Sequence, residues 1–127
     1  MKIEHIAVYS AQLEEMKEFY VRYFDGVPNN KYHNPRTGMS SYFIQFSGET
    51  RLEIMSLPEL APAVQEVYRM GLTHLAFSLG SKEEVDRLTA LITGDGYELL
   101  SAARTTGDGY YESCVADPDG NRIELTV

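Results

Sequence analysis

Tryptophan is absent from this chain of 127 residues, and cysteine occurs once, at Cys114. A single thiol rules out an intrachain disulfide and any CxxC metal or redox motif, and it points to a reducing compartment. Positive charge is in short supply. Eleven Lys and Arg against 19 Asp and Glu leave a formal net charge of -8, the wrong sign for gripping a phosphate backbone or an anionic bilayer. Neither nucleic acid nor membrane is therefore expected as a partner. Long apolar runs are missing too. Glu4 and His5 interrupt the opening MKIEHIAVYS, so neither a signal peptide nor a membrane span is expected, and a cytoplasmic protein is. The GDG stretches lack the GxxxxGK(S/T) pattern of a phosphate loop. With 43% hydrophobic and 24% charged residues, the composition is that of a globular protein. The length suits one domain with a real core.

Periodicity divides the chain. KIEHIAVYS (2–10) alternates as a strand, with His5, Ala7 and Tyr9 on one face and Ile6 and Val8 on the other. AQLEEMKEFYVRYFDG (11–26) reads as a helix, with Leu13, Met16, Tyr20 and Tyr23 at helical spacing and Gly26 as its stop. The turn-rich PNNKYHNPRTGMS (28–40) reads as a loop. SYFIQF and TRLEIM read as a hairpin across SGE. Residues 57–70, with Pro58 and Pro62, form a connector with room for one short helix.

The order then repeats. GLTHLAFSLG (71–80) is a strand. SKEEVDRLTALITGDG (81–96) is a helix, with Ser81 and Glu84 spaced as a capping box and Val85, Leu88 and Ile92 as its apolar stripe. YELLSAA is a strand, RTTGDG a loop, and YYESCVADPDGNRIELTV a hairpin turned by DPDG. His5 and His74 are 69 residues apart, as are the Glu-Glu pairs at 14–15 and 83–84, while Glu53 and Glu124 are 71 apart. That period is too long for a solenoid unit. It predicts an α+β domain over 1–127 built from two βαβββ modules, approximately 1–56 and 71–127.

Strand alternation puts His5, Glu53, His74 and Glu124 on faces opposite their apolar neighbours. If the modules pair about a pseudo-twofold axis, their sheets curve into a cup with the helices outside, and the four side chains converge beside the small Ala7 and Ala76. Two imidazoles and two carboxylates, with no thiolate, suit one divalent ion: Ni, Co, Zn, Mn or Fe rather than Cu(I). Such an ion removes the repulsion between facing carboxylates. Taken singly, a strand His or Glu is an ordinary solvated residue. The argument comes from two of each at equivalent places in the repeat.

The stretches HIAVYSAQLEEMKEFYVRYF, RLEIM, THLAFSLGSKEEVDRL and DPDGNRIEL resemble the vicinal oxygen chelate superfamily. Its members include glyoxalase I, bleomycin-resistance proteins, fosfomycin-type thiol transferases and extradiol dioxygenases. The resemblance covers essentially the whole chain and implies the glyoxalase/bleomycin resistance/dioxygenase fold. It implies a nickel- or cobalt-dependent lyase or isomerase of the lactoylglutathione lyase (glyoxalase I) type, with His5, Glu53, His74 and Glu124 as metal ligands. The reaction it implies is proton transfer through a metal-bound enediolate, with Glu124 as base assisted by Glu53. It also implies a homodimer. The alternatives are a non-catalytic small-molecule binder of the same fold and a fosfomycin-type thiol transferase.

Tyr9 stands where glyoxalase I carries an Arg that contacts the glutathione carboxylate. Arg51 and Arg122 lie two residues before the Glu ligands, so alternation aims both at the cup. Each suits a substrate carboxylate or phosphate, or an ion pair with a neighbouring Glu. The expected substrate is thus a small anionic compound with vicinal oxygens, and glutathione as co-substrate stays open. Tyr111 is a further lining candidate. The flexible stretch 105–112 is a candidate lid. His33, without a repeat partner, is expected at the surface, and Cys114 in the core.

Overall fold

A computed structural model describes residues 1–64 and 68–127. Two compact units emerge, Met1–Val64 and Gln65–Val127, and the division falls inside the stretch read as a connector. The described part of that connector carries neither helix nor strand. Any short helix over 65–67 lies outside the described residues.

Unit 1 contains β1 (His5–Tyr9), α1 (Leu13–Phe24), β2 (Val27–Pro28), β3 (Tyr32–His33), β4 (Ser40–Gln45) and β5 (Arg51–Ser56). The sheet order is β1-β5-β4-β2, with β3 also on β4. β1 runs parallel to β5, which needs a crossover, and α1 lies within it. β4 and β5 form the antiparallel hairpin. The helix buries Leu13, Met16, Phe19, Tyr20 and Tyr23, one stripe at the 3.6 period. It packs on β4 and β5, whose buried apolar residues are Tyr42, Ile44, Leu52 and Ile54. Each fully buried large apolar side chain contributes about 1.5–3 kcal/mol.

Two features differ from the sequence reading. The stretch 28–40 is not all loop. β2 and β3 pair with β4 over two residues each. Between them Asn29 clamps Phe43: its backbone N–H donates to the Phe43 carbonyl at 3.0 Å, and its Oδ1 accepts the Phe43 N–H at 2.8 Å. Strands of two residues have no alternation to read. The helix stop is also shared differently. Asp25 takes the left-handed conformation, at φ 52°. Gly26 is required by space instead: a Cβ there would lie 2.5 Å from Ile44 Cγ2 and 2.9 Å from the Tyr20 carbonyl oxygen.

Unit 2 contains β6 (Leu75–Ser78), α2 (Lys82–Gly94), β7 (Leu99–Thr105), β8 (Tyr111–Ala116) and β9 (Arg122–Thr126), in the sheet order β6-β9-β8-β7. The outer pair β6/β9 is parallel and the others antiparallel, the same plan as β1-β5-β4-β2. Ser81 caps α2, its Oγ accepting the Glu84 N–H at 3.2 Å. The Glu84 carboxylate turns outward to Arg87, at 2.8 Å. Val85, Leu88, Thr89 and Ile92 face the sheet. The Thr89 and Ser113 hydroxyls meet at 2.6 Å in the interior. This satisfied polar pair fixes which face of β8 looks at the helix. In the DPDG turn Asp117 Oδ1 accepts the N–H groups of Asp119 and Asn121. Among the described residues the two units thus hold two helices and two mixed sheets of the α+β kind, one sheet per module.

Candidate functional site

In unit 1 the face of β5 away from the helix carries Arg51, Glu53 and Met55, because Leu52 and Ile54 are buried on the other side. Register then brings partners beside Glu53: Ala7 on β1 and Phe43 on β4. His5 is the first residue of β1, and its Nε2 lies 3.7 Å from Glu53 Oε2. In unit 2 Ile123 and Leu125 are fully buried, which turns Arg122 and Glu124 to the opposite face. Glu124 is flanked by Ala76 and Cys114. His74 sits one residue before β6, and its Nε2 lies 3.5 Å from Glu124 Oε2. Each unit therefore presents one His–Glu pair at the same place in its sheet.

The carboxylates are the more enclosed partners, with 15% and 20% side-chain exposure against 40% and 36% for the imidazoles. Enclosure strips hydration from a carboxylate and favours a cation beside it. Two donors on one ion, each about 2.0–2.2 Å from it, lie roughly 3–3.5 Å apart, so small movements would bring either pair onto an ion. The donor chemistry therefore fits a divalent metal. Among the described residues, however, no group of three or more His, Cys, Asp or Glu side chains is placed to hold one. A pair supplies half of the four-ligand set.

The remaining candidates separate. Arg51 is engaged: its Nη2 donates to Glu4, and its guanidinium lies 4.3 Å over the Phe43 ring. Arg122, its counterpart, makes no ion pair among the described residues and is half-buried. Tyr9 shares the His5 face and is exposed. Tyr111 lies elsewhere. It is on the helix side of β8, its hydroxyl donating to Asp86 of α2 at 2.7 Å and Lys82 standing over its ring. The candidate lid is a hairpin turn closed by the Thr106 N–H on the Tyr110 carbonyl, at 2.8 Å. His33 is exposed beside Ser40. Cys114 is buried, yet it lies on the Glu124 face rather than among the helix contacts. Burial pushes its thiol pKa up, against the lowering field of Arg122. An open groove of about 550 Å³ at the start of α1 is lined by Gln12, Glu14, Lys31 and Ser56 among others, and neither His–Glu pair borders it.

Two residues beside His5 were not singled out from the sequence. Glu4 accepts from His5 Nδ1. Phe43 meets the His5 ring edge-on, 5.3 Å between centroids. The hydrogen bond from His5 is the largest influence on Glu4. With that from Arg51 it holds the carboxyl below its ordinary value against the opposing desolvation. Adjacency to His5 in the sequence was the one available signal for Glu4.

Tandem units of one plan, each a mixed four- or five-stranded sheet with one helix in the crossover between its parallel strands, place the chain in the glyoxalase-like class of α+β folds. The chain belongs to the Glyoxalase/Bleomycin resistance protein/Dioxygenase superfamily, whose sequence profile matches residues 2–125. It is 30% identical to an uncharacterized protein of Bacillus subtilis, YqjT, over 98% of both chains. Among solved structures it is similar to a glyoxalase family protein from Enterococcus faecalis, with 25% identity and a TM-score of 0.81 over 99% of this chain and 97% of that one. A lactoylglutathione lyase from Agrobacterium tumefaciens shares the fold at 22% identity and a TM-score of 0.69, over 98% and 92% of the two chains. Glyoxalase I from Zea mays does so at 19% identity and 0.78, this chain covering 44% of that one. No described helix is long and apolar enough to cross a membrane.

Proposed function

We propose that the chain is a metal-dependent lyase or isomerase of the glyoxalase I type, acting on a small anionic substrate with oxygens on adjacent carbons. The supporting observation is the doubled His–Glu pair, with Nε2 to Oε2 distances of 3.7 and 3.5 Å at equivalent places in two units. In this reading His5, Glu53, His74 and Glu124 together hold one divalent ion, nickel or cobalt, with zinc, manganese and iron also compatible with the donors. Such an ion, when bound, would supply Lewis acidity that makes a C–H beside a substrate oxygen easier to deprotonate. Glu124 takes that proton and returns it to the neighbouring carbon, with Glu53 assisting. Arg122 anchors the anionic group, since Arg51 is already engaged by Glu4 and Phe43. The same reading makes the protein a cytoplasmic homodimer.

The test is metal content and Ni²⁺ and Co²⁺ titration of wild type, Glu53→Ala and Glu124→Ala, together with turnover assays. Bound metal is expected, weakened about tenfold or more in either variant. Turnover is expected to fall about a hundredfold or more in Glu124→Gln. A wild type without divalent-metal affinity would sink the metal reading and leave a non-catalytic small-molecule binder. Metal binding without turnover of the glutathione–methylglyoxal hemithioacetal would remove glutathione as co-substrate.

A further inference from the structure

The two His–Glu pairs are not supported alike. The imidazole of His5 is held on three sides. Its Nδ1 is hydrogen-bonded to Glu4 Oε2, its ring meets Phe43 edge-on, and its Nε2 faces Glu53. Glu4 is itself held. Its other oxygen accepts from Arg51 Nη2, and that guanidinium lies 4.3 Å over the same Phe43 ring. The backbone adds to this, with the Arg51 N–H on the Glu4 carbonyl at 3.0 Å and the Thr50 hydroxyl on the Ile3 carbonyl at 3.1 Å. At the equivalent places unit 2 has Thr73, Cys114 and Arg122. Glu124, on the Nε2 side, is the one carboxylate paired with His74 among the described residues.

We infer that Glu4 is a positioning residue for His5: by accepting the Nδ1 proton it selects the tautomer whose Nε2 lone pair faces Glu53, while Arg51 and Phe43 hold Glu4 and the ring in place. The physical reason is simple. A neutral imidazole carries one proton, and the hydrogen bond made by one nitrogen decides which nitrogen is left as a donor to a metal. A carboxylate behind a ligating histidine fixes both the tautomer and the ring orientation. Thr73 has no carboxylate to do the same for His74. The first half of the set is therefore preorganised and the second is not. The functional weight of this rests on the metal reading above, under which the fixed lone pair raises affinity.

The test has two arms. In metal-free protein at mildly alkaline pH, imidazole nitrogen chemical shifts are read for His5 and His74 in wild type, Glu4→Ala, Glu4→Gln and Thr73→Ala. His5 is expected with its proton on Nδ1 in wild type. Glu4→Gln should retain this through its amide oxygen, and Glu4→Ala should move the proton toward Nε2, the side on which both His5 and His74 then have their one paired carboxylate. Thr73→Ala should leave His5 unchanged. Identical tautomer populations at His5 and His74 in wild type, or an unmoved His5 in Glu4→Ala, would overturn the positioning role. In the second arm, Ni²⁺ affinity should fall about tenfold or more in Glu4→Ala and largely recover in Glu4→Gln. A tautomer shift with undiminished affinity would overturn its link to the metal. A wild type that binds no metal refutes the proposed function instead, and the first arm still decides the role of Glu4.

Discussion

Replacing Gly26 with Ala should destabilise the protein, although glycine to alanine outside a left-handed conformation ordinarily does the reverse. An alanine there would place its Cβ 2.5 Å from Ile44 Cγ2, 2.9 Å from the Tyr20 carbonyl oxygen and 3.2 Å from Phe46 Cε1. Ile44 is fully buried and Tyr20 is the hydrogen-bond acceptor at the helix end, so neither moves aside freely. Overpacking of this kind costs about 1–3 kcal/mol. The reduced freedom of the unfolded chain offsets about 0.4–1 kcal/mol of it. At the midpoints of these ranges the net loss is about 1.3 kcal/mol, or about 5 °C in Tm for a chain of this length. Gly94, at the end of α2, is the control. A Cβ there meets nothing within 4 Å and φ is not positive, so Gly94→Ala should stabilise by about 0.5 kcal/mol. Urea unfolding and thermal scans of both variants beside wild type decide the matter. Equal shifts of the same sign would refute the claim that close approach, rather than glycine flexibility, selects Gly26.

Two other predictions concern β9, the strand that carries the proposed base, and its neighbour β8. Leu125→Ala should cost about 2–5 kcal/mol in urea unfolding, because Leu125 is fully buried on the side of β9 opposite Glu124; a loss below about 1 kcal/mol would mean that this face does not anchor the strand. Cys114 should react slowly with a disulfide reagent in native protein and rapidly in denaturant, since burial holds it as the thiol. A thiol pKa raised on folding means that the folded state holds its proton longer. Its contribution is thus complete below the ordinary thiol pKa of about 8.5 and is lost as pH rises toward the raised folded value. Cys114→Ala should flatten that alkaline decline.

Alternation and internal repetition, both visible in the bare sequence, were enough to divide the chain into two like modules. They also told the buried Leu52, Ile54, Ile123 and Leu125 from the Glu53 and Glu124 between them. The reason is local. A strand's side-chain period is set by its own backbone, and a helix stripe such as Met16, Phe19, Tyr20 and Tyr23 by its own pitch. Ser81 as cap and DPDG as turn are equally local. What lies across from a residue is different, because it depends on register and on the packing of neighbouring chain. Phe43 stands beside Glu53 only because the β4/β5 hairpin closes with that pairing. Tyr111 faces Asp86 because the Thr89–Ser113 hydroxyl pair fixes the phase of β8. That position 26 must be glycine although Asp25 takes the left-handed turn follows from how closely Ile44 approaches. And Glu4, an exposed carboxylate beside His5 by every local criterion, gains Arg51 as a second partner only when β1 pairs in parallel with β5 and brings residues 4 and 51 together.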